Sequence, residues 1–403
     1  MSRTDTEGES EGDATPRVAH RRLRILLLIK CLGYGGAERL LVDMVRHRGR
    51  DRYDYEVAYI LENEDSLVPD IVDAGVPVHS LGAGSNRDLA WMVRLYSLLR
   101  QGNFDVMHSH LPYAVGLGRV VAVAGRTPAR RPALVTTEHS LWNKMEIGIK
   151  LVNRCTAGFD DRLLVVSEAA KDSLPPSLRQ RATVVIHGVE MESVTATLAQ
   201  RETIRLEVRQ EFGLAEGELL ALTVANLRVE KGHDVLLRAA RQVIDEGAPV
   251  RFVVAGRGPL EGELEDERVR LRLSDRYHFA GQRSDVLRLL AAADLFVLPS
   301  RHEGLPVVLM EAAATGVPIV ATAVGEIPNL WTNGLDAVLV PPEDPQALAE
   351  GILTVVRDEA LRQRLAIGSL ARGALFDVTR CVGEIEAIYD ELAARPRDGT
   401  YAP

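Results

Sequence analysis

Two glutamates eight positions apart, Glu303 and Glu311, stand around a Gly304-Leu305-Pro306 turn in the segment Arg301 to Pro318. The apolar run Leu295 to Leu298 precedes it. An Ala-rich stretch closed by Gly316 and Pro318 follows, the stop pattern of a helix. A strand that turns into a helix is where open α/β sheets place ligands, because the unpaired N–H groups of the first helical turn face an anion. Carboxylates flanking that turn can accept hydrogen bonds from a polyhydroxyl ligand whose phosphates the amides hold. A helix cap and a solvated surface residue would be the ordinary reading of either glutamate alone; the pair in this setting favours a ligand.

Other residues of the right kind end predicted strands. Arg228 and Lys231, in Asn226 to Gly232, follow the run Leu219 to Ala225. They suit a diphosphate, Arg as a planar fork and Lys as a point charge, and a solvated basic loop fits them equally well. Gly35 and Gly36 lie between the first strand and its helix, where glycine admits a ligand close to the backbone and the helix start favours phosphate. A tight turn that merely needs glycine is the alternative. Gly256-Arg257-Gly258 holds the equivalent place in the second half. Neither glycine run completes GxGxxG, which disfavours a nicotinamide enzyme. His108, His110 and His139 close two strands of the first half, where an imidazole can bond a substrate hydroxyl or help move its proton. His139 is the choice among them because it follows the more strongly β-branched strand. No HExxH, Asp-x-Asp, GxSxG or GxxxxGK[ST] occurs, so metal, serine-hydrolase and P-loop readings have little support and no metal or cofactor is expected.

These groups need a scaffold with two similar halves. The run Leu23 to Ile29 is apolar without interruption, as in a parallel strand covered on both faces. Strands at Tyr55 to Leu61, Val76 to Ser80, Val106 to Ser109, Ala133 to Thr137, Arg162 to Val166 and Val184 to Ile186 follow, most of them separated by helical patterns. The rhythm restarts at Leu219 and runs through strands at Arg251 to Ala255, Tyr277 to Ala280, Leu295 to Leu298 and Ile319 to Thr322. Such alternation predicts an α/β fold of two doubly wound, Rossmann-like parallel-sheet domains facing across a cleft. The polar segment Glu192 to Gly217 reads as the linker. The 403 residues suit two domains, and a net charge of −9 argues against nucleic acid as a partner. Three scattered cysteines suggest a reducing compartment, and the acidic start, Met1 to Pro16, reads as a disordered tail with no signal peptide. The expected address is cytoplasmic.

Taken together the motifs resemble the retaining glycosyltransferases of family 4, which have the GT-B fold. The matching runs are GGAERLL (35–41), VSE (166–168), VIHGV (185–189), VANLRVEKGHDVLLRAA (224–240), VAGRGPL (254–260), FAGQRSDV (279–286), ADLFVLPSRHEGLPVVLMEAAATGVPIVAT (293–322) and VLVPPEDPQALAEGI (338–352). The resemblance implies transfer of a sugar from a nucleotide diphosphate sugar with retention and without a metal. By position, Glu303 would meet donor-sugar hydroxyls, Gly304, Leu305 and Pro306 would hold sugar and phosphate, and Glu311 would bind the ribose. Arg228 and Lys231 would neutralise the diphosphate, Gly35 and Gly36 would approach it from the first domain, and His139 would lie near the anomeric centre. Gln282 and Arg283 would sit beside the base, with Gly256 on the same donor side. Asn226 replaces a frequent arginine, which puts the phosphate contact in doubt. Glu326 replaces a frequent glycine, which would alter the sugar pocket. The implied organisation is a tail (1–21), an acceptor-side domain (22–200), a nucleotide-sugar domain (201–376) and a segment returning to the first domain (377–403).

The implied partners are a nucleotide-sugar donor and a glycan, lipid-linked or small-molecule acceptor, with polysaccharide or glycolipid synthesis as the setting. Basic clusters at Arg21-Arg22-Arg24, His47 to Arg52 and Arg126 to Arg131 leave open a peripheral contact with an anionic membrane surface. A nucleotide-sugar 2-epimerase and a non-catalytic nucleotide-sugar-binding protein of the same fold are the competing readings.

Overall fold

The computed structural model describes residues 21–33, 35–124, 131–139, 141–142 and 145–394. The expected acidic tail, Tyr34 and most of the 126–131 cluster fall outside them.

Seven parallel strands form the first sheet: β1 (Leu23–Ile29), β2 (Tyr53–Leu61), β3 (Val78–Ala83), β4 (Val106–His110), β5 (Ala133–Glu138), β6 (Arg162–Val165) and β7 (Ala182–Val184). Their order is β3-β2-β1-β4-β5-β6-β7. The unbroken apolar run of β1 has a direct cause: Ile25, Leu27 and Ile29 enter one core while Leu26 and Leu28 enter another on the opposite face. Six parallel strands form the second sheet: β8 (Leu219–Val224), β9 (Val250–Ala255), β10 (Tyr277–Gly281), β11 (Leu295–Leu298), β12 (Ile319–Thr322) and β13 (Val338–Val340). They lie in the order β10-β9-β8-β11-β12-β13. Chain order reverses between β1 and β4 in one sheet and between β8 and β11 in the other. Loops part at such switch points and leave a crevice at the carboxyl edge.

The linker expectation does not hold. Residues 192–217 contain most of the helix Met191–Leu198 and the whole helix Arg201–Glu211. Val194, Val208 and Phe212 from this region enter the second core. Arg201 and Arg205 donate to the carbonyls of Ala291 and Ala292, and Arg205 pairs with Asp294 at 2.6 Å. The chain therefore passes to the second domain near Gly188-Val189, not at residue 200. There it meets its own return: the Val189 N–H donates to the Phe376 carbonyl at 2.6 Å, and Val378 N–H donates to the Val189 carbonyl at 3.1 Å. A side chain at Gly188 would overlap the Val378 backbone.

The returning helix, Val378–Ala393, packs onto the first domain. Val378, Cys381, Val382, Ile385, Tyr389 and Leu392 join the core of β1 and β2. Tyr53, Tyr55 and Tyr389 pack edge to face with 6.3 Å between ring centres. Glu386 accepts from the Gly49 N–H at 2.9 Å and from the Tyr55 hydroxyl at 3.2 Å.

Candidate functional site

The second switch point brings Lys231 and Glu303 together although they are 72 residues apart. Lys231 ends a 3-10 turn, Val229–Lys231, that follows β8. The next residue, Gly232, has φ +65°, and a Cβ there would overlap the Pro299 carbonyl. Glycine thus lets the loop after β8 press against the loop after β11. Lys231 Nζ lies 2.7 and 2.9 Å from the two Glu303 carboxylate oxygens, and Ser300 Oγ donates to Oε1 at 2.6 Å. The Thr322 hydroxyl holds the Ser300 carbonyl at 2.5 Å. Arg301 clamps the loop from outside through a fork onto Asp234 at 2.8 and 2.9 Å. Glu303 is thus buried and ion-paired. The charge expected on the diphosphate from Lys231 is already engaged by a carboxylate, whereas exposed Arg228 makes no ion pair among the described residues.

The first domain closes on this loop. A Cβ at Gly304 would lie 3.4 Å from the His139 carbonyl, and one at Gly36 would lie 3.9 Å from Val307. The helices Gly36–Arg46 and Val307–Ala314 therefore start close together, neither with a side-chain cap. Two uncapped helix starts converge where an anion would be held. One of them is already partly occupied. Glu38 folds back over Gly35, where a Cβ would overlap its carboxylate, and accepts from Cys31 Sγ at 3.3 Å. Gly35 thus faces a resident carboxylate, contrary to the simple phosphate-turn expectation.

Glu311 sits a turn further along its helix and faces the first domain. Burial pushes its carboxyl up to about 7; Asp43 adds to the rise and Arg39 opposes it. Asp43, on the helix Gly36–Arg46, is itself pushed up to about 6 by burial, with Arg39 opposing, and its Oδ1 has no hydrogen-bond partner among the described residues.

Three of the residues expected to meet the donor have structural duties. A Cβ at Gly256 would overlap the Ala225 carbonyl, so this glycine is explained by packing of the loops after β8 and β9. Arg283 is committed to Asp285 at 2.7 Å and to Glu211, and its guanidinium lies over Phe212. Of the base-side pair only exposed Gln282 remains uncommitted, and Leu305 packs against the second core. Glu326 is buried and reaches across the cleft, accepting from the Ala169 N–H at 2.8 Å at the start of the helix Glu168–Ser173. Its own N–H donates to the Gly304 carbonyl at 3.3 Å. Sequence reasoning missed Ser300, though a serine three residues before Glu303 in the same turn was a usable signal.

Two family models match the chain. One, described as glycosyl transferases group 1, covers residues 204–369, and one described as glycosyltransferase family 4 covers residues 34–193. The chain belongs to the group 1, family 4 glycosyltransferases. The transferase is 25% identical to N-acetyl-alpha-D-glucosaminyl L-malate synthase of Bacillus anthracis, over 77% of this chain and 81% of that protein. It is 27% identical to D-inositol 3-phosphate glycosyltransferase of Xylanimonas cellulosilytica, over 86% and 90%. Among solved structures, HepE of Anabaena in complex with UDP and glucose superposes with a TM-score of 0.78 at 21% identity, covering 92% of this chain and all of that one. The two sheets and their facing arrangement are those of the GT-B fold.

Proposed function

We propose that this glycosyltransferase moves a hexosyl group from a nucleoside diphosphate sugar to a hydroxyl acceptor, with retention at the anomeric carbon and without a metal ion. The observation that carries the proposal is the meeting across the cleft of the loop bearing Glu303 and Gly304 with His139. The sugar hydroxyls would lie against Glu303, the diphosphate between Arg228 and the helix start at Val307, and the ribose against Glu311. A carboxyl held up to about 7 can both donate to and accept from a ribose hydroxyl near neutral pH. In the step, the bond from the anomeric carbon to the diphosphate oxygen breaks and the acceptor oxygen joins the same face. The acceptor proton passes to the departing diphosphate oxygen, so no side-chain nucleophile is required. Arg228 and the helix start would stabilise the developing charge, joined by Lys231 once a sugar hydroxyl takes its place on Glu303. Glu303 suits a binding role better than a nucleophilic one, because Lys231 and Ser300 already hold both its oxygens.

A UDP-hexose is the first donor to try, given the UDP and glucose in the HepE complex. The two relatives are named for different acceptors, L-malate and inositol 3-phosphate. For this chain a glycan or lipid-linked acceptor is favoured by the helix Ile147–Thr156, which begins eight residues after His139. It exposes Ile147 and Leu151 beside Lys150 and Arg154, a face suited to an anionic bilayer. The basic clusters named above serve this less well: Arg22, Arg24 and Arg52 pair with Asp54, Glu56 and Asp390.

Purified protein with a panel of UDP-, GDP- and ADP-sugars and hydroxyl acceptors should release nucleoside diphosphate in the presence of EDTA. The product should keep the donor's anomeric configuration by NMR. No release from any donor sinks the transferase reading, and an inverted product sinks retention. Flotation with anionic liposomes at low salt should carry the protein upward, and the variant I147S/L151S should remain at the bottom.

A further inference from the structure

His108, His110, His139 and His187 are drawn into one wall from β4, the end of β5 and the segment after β7. His108, His110 and His187 are buried, and only His139 is part-exposed, at the cleft beside Gly304. The wall is not a continuous chain of hydrogen bonds. His108 bonds the Tyr389 hydroxyl at 2.5 Å and Thr137 Oγ1 at 2.7 Å, and it meets His110 only by ring contact, with centres 4.2 Å apart. His110 Nδ1 lies 3.1 Å from His139 Nε2, and the His187 ring stacks on His139 within 8° of parallel, with centres 5.3 Å apart.

We propose that His110 is a positioning residue that fixes the ring plane and the tautomer of His139 at the mouth of the cleft, with His187 holding the opposite side of the ring. The use of that ring in transfer rests on the function proposed above; the placement of the ring does not.

A neutral imidazole carries one N–H and one bare nitrogen, and its tautomer is set by the bond one nitrogen makes. When two neutral rings meet through Nδ1 and Nε2, only one hydrogen lies between them. Because the buried Nε2 of His110 has no acceptor among the described residues, its hydrogen belongs on Nδ1; His139 Nε2 then accepts, and His139 carries its own hydrogen on Nδ1. The environment keeps the rings neutral: burial brings His139 down to about 4 and holds His110 and His187 well below the ordinary histidine range. The titratable groups around His139 are His108 and His110 on β4, His187 after β7, and Cys381 and Tyr389 behind them on the helix Val378–Ala393. Neighbouring Glu138, on β5, is buried within reach of the charges of Arg119 and Asp160. From the second domain the Gly304 backbone approaches the His139 carbonyl, and the ion-paired Glu303 and Lys231 belong to the same loop cluster.

His110 also has a feature that packing does not explain. Its Nε2 is buried without a partner among the described residues, as is that of His187. An apolar residue of similar volume would fill the same space without leaving a polar atom unsatisfied. What histidine adds at position 110 is the bond to His139.

Long-range 1H–15N spectra of the full chain labelled with 15N-histidine test this directly, with the His139 signals assigned by H139N. In the native protein His139 should show one tautomer and remain neutral down to about pH 4. In H110F, which fills the space without a bond, His139 should show mixed tautomers while staying neutral down to about the same pH, because its burial is unchanged. H110N, whose side-chain amide can still bond, should restore much of the single tautomer. Thermal melts identify any variant that does not fold, and H110F and H110N provide independent routes to the same answer. If His139 keeps its single tautomer in both H110F and H110A, the proposal is overturned. The measurement needs no turnover, so a protein inactive with every donor would end the functional reading and leave this inference standing.

Discussion

Glu303 is worth most to the protein if its carboxylate can exchange partners. Lys231 and Ser300 hold it in the structure; with donor bound, a sugar hydroxyl would take one of those places. Glu303→Gln keeps the shape, removes the charge and leaves half-buried Lys231 without its partner. Hydrogen bonds to charged groups contribute about 1.5–3 kcal/mol, so kcat/KM should fall roughly ten- to a hundred-fold. Steady-state kinetics on the variant checks this, and near-native activity would refute the assigned role. Glu311 gives a second prediction, with its sign set by the raised value of about 7 against an ordinary 4.5. The folded chain holds this proton through a window where the unfolded chain has released it, so stability falls as pH rises from about 4.5 to 7. Glu311→Gln removes that loss and should raise Tm at pH 8 but hardly at pH 4, while weakening UDP binding. The gain should be about 1–3 kcal/mol; an equal change in Tm at both pH values would count against it. At this scale the sequence showed which residue types were present but not who holds whom. Spacing alone could not pair Lys231 with Glu303, because the pairing is made by two loops at a switch point. Nor could it show that Arg283 was already bound to Asp285.

The elements were legible where burial leaves a strong pattern. β1, β11 and β12 agree with their apolar runs residue for residue, since a parallel strand covered on both faces has no polar side to blur the pattern. The helices Met191–Leu198 and Arg201–Glu211 were read as a linker because each buries only a narrow stripe, chiefly Val194 and Val208, beneath a polar exterior. β13 escaped because three residues at a sheet edge carry too little periodicity. The helix Val307–Ala314 was evident from its stop signal, but its start opposite the helix Gly36–Arg46 was not, because that depends on how the domains close. The facing helices carry a prediction of their own. Asp43 and Glu311 both resist ionisation there, so Asp43→Asn and Glu311→Gln together should gain less stability at pH 8 than the sum of the single changes. Additive shifts in a thermal double-mutant cycle would show that the two carboxyls do not sense each other.

At the scale of the whole molecule, Glu326 ties the loop bearing Gly304 to the first domain through the Ala169 N–H. Its removal should loosen closure more than it harms folding. Glu326→Ala should enlarge the radius of gyration in solution scattering and raise KM for donor several-fold, with Tm little changed. An unchanged scattering curve would show that the cleft is held shut by something else. The two-domain plan was readable from the strand–helix rhythm; the position of the crossing was not, because Val189 marks it by hydrogen bonds with the Phe376 carbonyl and the Val378 N–H and by no local signal. The same geometry has a consequence for synthesis. The first core needs Ile385 and Tyr389, yet its last strand, β7, ends at Val184. At about 5–20 residues per second, on the order of ten to forty seconds separate that strand from the helix that covers it. Through that interval the apolar floor of β1 and β2 stands open on the ribosome. The nascent first domain should therefore engage a holding chaperone, and it should gain protease resistance only after the second domain has emerged.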